Sequence, residues 1–359
     1  MRNEFMKVMT ICILAATTIF AYKTKAYKTE RINQPQVEIK KSQDSIKITP
    51  EESITPAQPK LSVVIPEHLS YPQTIEQLKK WNQEAPQLTE VFVYGQTKKG
   101  TDLYCIRITN KNNTSPKSKV IFASTIHGNE TLASGVLMAY AGTILQKFGE
   151  DKEITELLNT RELFLVPVVS PDSYTITRYV DGVDPNRDFP TSKNPSHQST
   201  PSVAALINLF WKVKPCAFIS GHTFGRVFLT PYGDTRGENL HQTEYDRIVG
   251  HMMKSANYKS MHVSELYGRP VTGSEVDYFY RNGSMSLVIE FGTHQHKPTL
   301  KEIKNEFDRT KDAITFFIKE APQCKVKALE EEIDFSRNTG IARKYFQLEN
   351  GDLYPAGPY

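Results

Sequence analysis

Short apolar runs alternate with segments of helical spacing between Leu61 and Pro322. The clearest runs read VIFAST, ELFLVPVVS, CAFISGH and MSLVIEFG, and helical segments such as SVAALINLFWKVK separate them. Strands that are apolar throughout are typical of parallel sheets, because helices cover both faces of such sheets. The alternation therefore predicts an α/β fold with a largely parallel central sheet and helices on both faces.

Weaker patterns in the same region complete one folded domain. TIEQLKKWNQEAP has helical spacing and should end at Pro86, while EVFVYGQT and LYCIRIT are expected to form a pair of strands. LASGVLMAYAGTILQKF is expected to be a strongly amphipathic helix. We therefore predict a single domain over residues 61–322.

The two ends of the chain differ in composition from this domain. Residues 1–26 combine a short basic segment, an apolar run and small residues near Ala21 and Ala26, which is the pattern of a secretory signal peptide. The apolar run is shorter than the roughly 20 residues that span a bilayer, so we expect cleavage and export to the periplasm or the medium, with no retained membrane span. Residues 27–60 are predicted to be a polar linker, and residues 323–359 a C-terminal extension of unknown role.

Charge and cysteine content narrow the classes of function. The chain has 44 basic and 40 acidic residues without a strong basic block, which argues against nucleic acid as a partner. Signal cleavage would leave Cys105, Cys216 and Cys324, an odd number without a Cys-x-x-Cys pair. We therefore expect no full disulfide framework, and we interpret the cysteines as small core residues and not as metal ligands.

A His and a Glu three residues apart follow the apolar VIFAST strand. They are His127 and Glu130, and Gly128 between them would permit a tight turn that lets both side chains converge on one ion. Two further pairs have the same spacing, His241/Glu244 and His262/Glu265. These two pairs lie in polar or half-polar surroundings and are interpreted as solvated or structural.

Other polar residues also stand directly after apolar runs. In open α/β sheets ligands bind beyond the carboxyl ends of the strands, and Asp172, His222 and Glu290 all occupy such positions. His222 could supply a third ligand, since two His and one Glu leave a position open for water in hydrolytic zinc sites. Burying Glu290 unpaired would be costly, so it is either part of a salt bridge or a general base for a metal-activated water.

The segment RYVDGVDPNRDFP adds basic and amide side chains in a loop that Gly and Pro restrain. It contains Arg178, Asn186 and Arg187. The planar guanidinium of Arg can bind a carboxylate through two parallel hydrogen bonds. Paired Arg residues are often solvated surface groups, but a loop reached from the same strand ends favours a substrate contact.

The motifs occur in a fixed order: HGNE, SPDSY, RYVDGVDPNRDFP, an apolar strand that ends in His and an apolar strand that contains Glu. In this order, over residues 71–322, the chain resembles the zinc metallocarboxypeptidases of the carboxypeptidase A/B type. VFVYGQTKKGTDLYCIRI also resembles the two opening strands of that family. The resemblance implies a three-layer α/β/α sandwich with a mixed, mostly parallel sheet of eight strands.

The resemblance also implies a metal site and a base. One Zn²⁺ ion per chain would be held by His127, Glu130 and His222. Glu290 would act as general base and acid. Asp184 would orient the His127 ring.

A second set of implied roles concerns the substrate. Arg178 would polarise the scissile carbonyl and stabilise the oxyanion, and Asn186 and Arg187 would bind the terminal carboxylate, which restricts cleavage to chain ends. For the mobile tyrosine that closes over the substrate in this family, Tyr267 is the first choice. Tyr280 is the alternative, because the local spacing departs from that of the animal enzymes.

Three positions depart from the family pattern or bear on specificity. Asp188 replaces the Asn that often follows the Asn-Arg pair, and FGTHQH follows the strand Glu. Val276 stands where basic-specific members have an acid, which disfavours a C-terminal Lys or Arg, although the neighbouring Asp277 leaves that preference open.

We therefore predict an exported zinc-dependent metallocarboxypeptidase that acts on peptides with a free C-terminal carboxylate. The first alternative keeps the zinc site and takes muropeptides, as a carboxypeptidase or endopeptidase of peptidoglycan stem peptides. An amidohydrolase for small acyl-amino acids fits the Asn-Arg pair less well. An alternative of another class is a non-catalytic peptide-binding module, which would be expected to lack a metal ligand or the base.

Overall fold

The computed structural model describes residues 69–191, 193–234, 241–294 and 297–321, together with the short segments 345–347 and 353–355. The predicted signal peptide and linker, residues 1–60, lie outside the described residues. Of the predicted extension, the structure describes two strands that pair antiparallel, Tyr345–Gln347 and Leu353–Pro355. Among the helices described, none is both long and apolar enough to cross a membrane.

Eight strands form one mixed sheet in the order β1-β2-β4-β3-β5-β8-β6-β7. The strands are β1 (Thr89–Gln96), β2 (Asp102–Ile108), β3 (Ser118–Ser124), β4 (Arg161–Val166), β5 (Ala217–His222), β6 (Val227–Thr230), β7 (Lys259–His262) and β8 (Met285–Glu290). The four central strands, β4, β3, β5 and β8, run parallel. Antiparallel pairing occurs between β1 and β2, β2 and β4, and β8 and β6, and β7 pairs parallel with β6. The predicted mixed, mostly parallel sheet is thereby confirmed.

Eight helices of the described chain cover this sheet. They are α1 (Tyr71–Glu84), α2 (Thr131–Lys147), α3 (Lys152–Thr160), α4 (Pro201–Val213), α5 (Gln242–Ala256), α6 (Val263–Tyr267), α7 (Glu275–Arg281) and α8 (Leu300–Glu320). Several begin where the sequence provides a cap. Ser70 and Gln73 form a reciprocal capping box at α1, and Thr299 and Glu302 do the same at α8, so the first N–H groups of these helices have partners.

Helix α2 differs from its prediction. It was expected to be strongly amphipathic, but almost every residue from Thr131 to Leu145 is buried. The reason is that α2 lies between the sheet and α8. Its Gly135 fits against Ile303 of α8, and Tyr140 hydrogen-bonds with Thr315 at 3.1 Å. A helix covered on both sides has no polar face to keep.

Separate apolar clusters fill the two sides of the sheet. One includes the buried residues of α2, α5 and α8, and the other includes Phe210 of α4, Phe218 of β5 and Phe279 of α7. The rings of Phe218 and Phe279 lie 4.0 Å apart, and Phe279 also packs against Phe210. The two clusters establish the three-layer arrangement. Cys105 and Cys216 are buried, as expected of small core residues.

The chain changes direction across the sheet at β3. The next strand in sequence, β4, lies on one side of β3, and β5 lies on the other. This is a topological switch point, where the loops that leave neighbouring strands diverge and open a crevice beyond their carboxyl ends. Because β3, β5 and β8 are adjacent and parallel, the residues that follow β3 and those that end β5 and β8 meet at this edge.

Candidate functional site

The turn after β3 places His127 and Glu130 at the crevice. Gly128 lies against Ser173, and a Cβ atom at this position would be 2.3 Å from the Ser173 Oγ and 2.4 Å from its backbone carbonyl. The backbone amide of Thr175 donates to the Gly128 carbonyl at 2.8 Å. Gly128 is therefore required by close approach of two backbone segments, and not by a left-handed φ.

Two imidazoles converge on the carboxylate of Glu130. The Nδ1 atoms of His127 and His222 each lie 2.8 Å from a different Glu130 oxygen. All three side chains are buried. One ligand atom from each residue lies within 4.8 Å of the others, and this is the group that could hold a metal ion among the described residues.

The Glu130 carboxylate does not cap the helix that it precedes. Glu130 occupies the N-cap of α2, where an acidic side chain ordinarily accepts from the first N–H groups, yet it makes no such hydrogen bond. Burial alone would raise the pKa of this carboxyl, but His127 and His222 outweigh burial and hold the pKa well below its usual range. The carboxylate is therefore ionised and directed at the two rings.

The donor set fits zinc. Two imidazole nitrogens and one carboxylate oxygen are the protein ligands of many hydrolytic zinc centres. Both rings turn Nδ1 toward Glu130, and both turn Nε2 toward another carboxylate. Nε2 of His127 lies 3.0 Å from Asp184 Oδ1, and Nε2 of His222 lies 2.6 Å from Glu275 Oε1. An Nε2–H donated to an acid leaves the Nδ1 lone pair for a metal.

Asp184 joins His127 to the predicted substrate residues. Its Oδ2 accepts from Nε and Nη2 of Arg178 at 3.1 and 3.0 Å. Its Oδ1 accepts from the backbone N–H of Asn186 at 3.0 Å. Burial would raise the pKa of Asp184, but His127 and Arg178 reverse the effect and keep the pKa well below its usual range. Arg178 also reaches to 3.6 Å from Glu130, so its guanidinium stands at the edge of the three-residue group.

Asn186 and Arg187 belong to a short 3₁₀ turn, Pro185–Arg187. The Asn186 Oδ1 accepts from the backbone amide of Glu275 at 2.9 Å, which turns the amide nitrogen of Asn186 away from α7. The Arg187 guanidinium lies 5.4 Å from the ring centre of Tyr267. This pairs a cation with an aromatic face.

The two candidate tyrosines have different environments. Tyr267 is the last residue of α6, and its side chain is 42% exposed beside Arg187. Tyr280 is 5% exposed in α7, where it packs against Tyr232 and Tyr245 and hydrogen-bonds to His241 at 2.7 Å. Only Tyr267 of this pair has room for a large side-chain movement.

Glu290 ends β8, directly opposite His222 of β5 in the sheet register. Its side chain is buried, and its Oε2 has no hydrogen-bond partner among the described residues. Burial raises the pKa of Glu290 to about 8 against the attraction of His222, and the charges of Glu130 and Glu275 add to the rise. The carboxyl can therefore exchange a proton near neutral pH.

Other sequence candidates have structural partners. Asp172 accepts from Thr101 at 2.8 Å and does not join the three-residue group. Asp188 pairs with His197 at 2.7 Å and accepts from the Thr200 amide, so it stabilises the loop before α4.

The two other His-x-x-Glu pairs have the structural roles expected of them. His262 and Glu265 form a reciprocal capping box at α6. His241 bonds to Tyr280, and Glu244 pairs on the surface with Arg247.

The two residues near the expected specificity position, Val276 and Asp277, also have structural partners. Val276 is buried in a small apolar cluster with Val271 and Val288. Both oxygens of Asp277 accept from the Gly233 amide, and Oδ2 also accepts from the Asp234 amide.

Sequence reasoning missed Glu275, because an acid at the start of a helix is ordinarily a solvated residue that interacts with the helix dipole.

A family model described as "Zinc carboxypeptidase" matches residues 74–313. Carboxypeptidase A1 of Sus scrofa is 27% identical over 244 residues, which cover 56% of each protein. Carboxypeptidase D of Drosophila melanogaster is 22% identical over 310 residues, which cover 71% of this chain and 22% of that protein. The chain thus spans little more than half of one relative and about a fifth of the other.

A solved structure of thrombin activatable fibrinolysis inhibitor is similar in fold. It superposes with a TM-score of 0.64 at 19% identity and covers 72% of this chain and 75% of that chain. The similarity confirms the predicted fold class.

Proposed function

The chain belongs to the zinc carboxypeptidase family, whose members are hydrolases, and we propose that it is an exported metallocarboxypeptidase that removes C-terminal residues from peptides. The observation that carries the proposal is the convergence of His127, Glu130 and His222 next to the buried carboxyl of Glu290. The pattern of residues 1–26 supports export.

His127 and His222 would bind zinc through Nδ1, and Glu130 would bind through its carboxylate. When bound, zinc polarises a substrate carbonyl and lowers the pKa of a water molecule. Asp184 keeps the His127 ring in one orientation by accepting its Nε2–H.

Glu290 would act as the general base and then as the general acid. In the ionised form it takes a proton from the attacking water and later delivers that proton to the leaving amine. Its burial raises its pKa above the usual range of a carboxyl, which favours its action as an acid as well as a base.

Arg178 would stabilise negative charge that develops on the scissile carbonyl oxygen. Its guanidinium is held from one side by Asp184, so the remaining N–H groups can donate to the substrate without a search for the right rotamer. Preorganised donors of this kind require little reorganisation during the reaction.

Asn186 and Arg187 would bind the terminal carboxylate of the substrate, and Tyr267 would close over it. The adjacent amide and guanidinium supply donors from one rigid turn. Tyr267 lies at the exposed end of α6 and touches the Arg187 guanidinium, so movement of its ring would cover the carboxylate and exclude water.

The first test is an assay of the purified mature protein, with its zinc content measured, on mixed peptides and on muropeptides with mass analysis of the products. We expect loss of single C-terminal residues that requires zinc and that Glu290→Gln abolishes. Glu244→Gln is the matched control, because Glu244 belongs to a surface His-x-x-Glu pair.

Each alternative gives a different result in this assay. Cleavage confined to muropeptides would assign the peptidoglycan substrate. Tight zinc binding without cleavage of either pool would refute the peptidase and indicate a peptide-binding module.

A further inference from the structure

Glu275 is a fully buried acid with an unusual set of neighbours. It is the first residue of α7 and its side chain is 0% exposed. Its Oε1 lies 2.6 Å from Nε2 of His222 and accepts from the Ser220 hydroxyl at 2.6 Å. No Lys or Arg in the described part of the chain forms an ion pair with it, and its Oε2 has no hydrogen-bond partner there.

Such burial is costly unless another charge compensates for it. An ionised carboxylate removed from water loses several kcal/mol of solvation, which the neutral Ser220 hydroxyl does not restore. Elsewhere in the described chain a buried acid such as Glu306 has Arg226 as its partner. Glu275 instead has His222, whose other ring nitrogen faces Glu130.

The neighbourhood of His222 repeats that of His127. Each ring presents Nδ1 to Glu130 and Nε2 to a second acid, Asp184 for His127 and Glu275 for His222. The two acids come from different parts of the chain, one from the loop after β4 and one from α7. The match is therefore one of chemistry and not of a repeated sequence motif.

We propose that Glu275 is a positioning residue that fixes His222 as a zinc ligand. By accepting the Nε2–H, the carboxylate holds the tautomer with a free lone pair on Nδ1 and fixes the ring plane. Its negative charge also favours a divalent cation on the far side of the ring. The inference rests on the zinc site of the proposed function, and it assigns Glu275 a role that acts through His222 and not on the substrate.

Zinc affinity, measured by competition with a chromogenic chelator, tests the proposal without any substrate. Glu275→Gln keeps the shape of the side chain and removes its charge, and Glu275→Ala removes both. We expect zinc to bind about 10- to 100-fold more weakly to each variant, the usual effect of removing an acid that orients a metal-binding His. Ser220→Ala is the matched control, because it removes the other donor to the same oxygen and should stay within about threefold of the wild type.

Thermal unfolding of the zinc-free proteins separates positioning from ordinary structural support. Glu275→Gln removes the negative partner that faces the His222 ring at 2.6 Å, so the zinc-free variant should melt at a lower temperature than the wild type, and a positioning role requires that its zinc affinity falls as well. A lower melting temperature with unchanged zinc affinity would show a structural role and overturn the proposal. If Glu275→Ala does not fold, the Gln variant decides.

The outcome is separable from that of the proposed function. A wild-type protein that binds zinc, with variants that bind it equally well, refutes the role of Glu275 alone. A wild-type protein that binds zinc but cleaves no peptide refutes the peptidase, while the comparison of zinc affinities still decides the role of Glu275. A wild-type protein without zinc affinity refutes both.

Discussion

Replacing Asp184 with Asn should weaken both the proposed zinc site and the proposed substrate site, because one carboxylate contacts residues of both. Oδ1 of Asp184 accepts from His127 and from the backbone N–H of Asn186, and Oδ2 accepts twice from Arg178. An Asn side chain has one oxygen and one NH₂ group. If the oxygen faces His127, the NH₂ group faces the Arg178 guanidinium, which is also a donor. If the side chain is flipped, the conflict moves to the His127 Nε2–H.

The size of the loss follows from these contacts. A hydrogen bond to a charged group contributes about 1.5–3 kcal/mol. Arg178 and Asp184 are 31% and 21% exposed, and solvent reduces what a partly exposed ion pair contributes. We therefore expect Asp184→Asn to lose about 2 kcal/mol of interaction free energy, which corresponds to a decrease of roughly thirtyfold in kcat/KM or in zinc affinity.

The assay pairs steady-state kinetics on a C-terminal peptide substrate with chelator competition for zinc. Asp188→Asn is the control, because Asp188 is a buried acid of the same loop that bonds to His197 and the backbone amide of Thr200 and to none of the proposed zinc ligands. The reasoning fails if Asp184→Asn keeps both quantities within about threefold of the wild type. It also fails if Asp188→Asn lowers them equally, since loop integrity would then explain the loss.

Three further predictions concern the turn after β3, a buried acid and the metal. Gly128→Ala places a methyl group 2.3 Å from Ser173 Oγ, so we expect the protein to be destabilised by about 1–3 kcal/mol in thermal unfolding and to bind zinc more weakly. The control is Gly250→Ala, at an open helical position, which should leave the stability unchanged or raise it. Burial and Asp234 raise the pKa of Asp277 to about 6. The folded state therefore binds this proton more tightly than the unfolded state does. The free energy of unfolding of the wild type, measured with urea, should fall by up to about 3 kcal/mol between pH 4 and pH 7 relative to that of Asp277→Asn. Parallel pH profiles of the two proteins would refute this sign. Zinc at 100 times its dissociation constant should stabilise the wild type by about 2.7 kcal/mol, and Glu130→Gln should show a much smaller difference between zinc-loaded and chelator-treated protein in calorimetry.

Burial explains which strands could be predicted. The central strands β3, β5 and β8 have apolar residues on both faces, so their sequences are continuous apolar runs. Strands β6 and β7 lie toward one edge of the sheet and have four residues each. Runs of that length do not distinguish a strand from a loop, and the sequence analysis did not predict them. Helix α3 was missed in the same way, since its nine residues allow few helical repeats.

The three residues that could hold a metal ion were predictable because their signals are local. His127 and Glu130 share one turn, and His222 ends an apolar strand, so the rule that ligands gather at strand ends is sufficient for them. The same rule also selected Asp172, which bonds to Thr101 instead. The strand-end rule finds positions at the right edge of the sheet but does not say which way a loop turns after leaving it.

Glu275 shows what the local rules omit. It lies 53 residues after His222 in sequence, and the two meet only because α7 packs against β5 through Phe279 and Phe218. No periodicity or spacing within the segment GSEVDY reports that contact.

Register between β5 and β8 has the same long-range character. His222 pairs with Glu290, and Gly221 pairs with Ile289. Side chains of directly paired residues lie on the same face of a sheet, whereas a shift of one residue moves every side chain of a strand to the other face. A one-residue slip of β8 would therefore carry Glu290 away from His222 and bring Ile289 to its side. The apolar residues of β8 pack on both faces, so hydrophobicity alone does not oppose such a slip. The carboxyl of Glu290 does, because on the other face, where Leu287 and Ile289 lie, it would enter the apolar layer of α2 and α8.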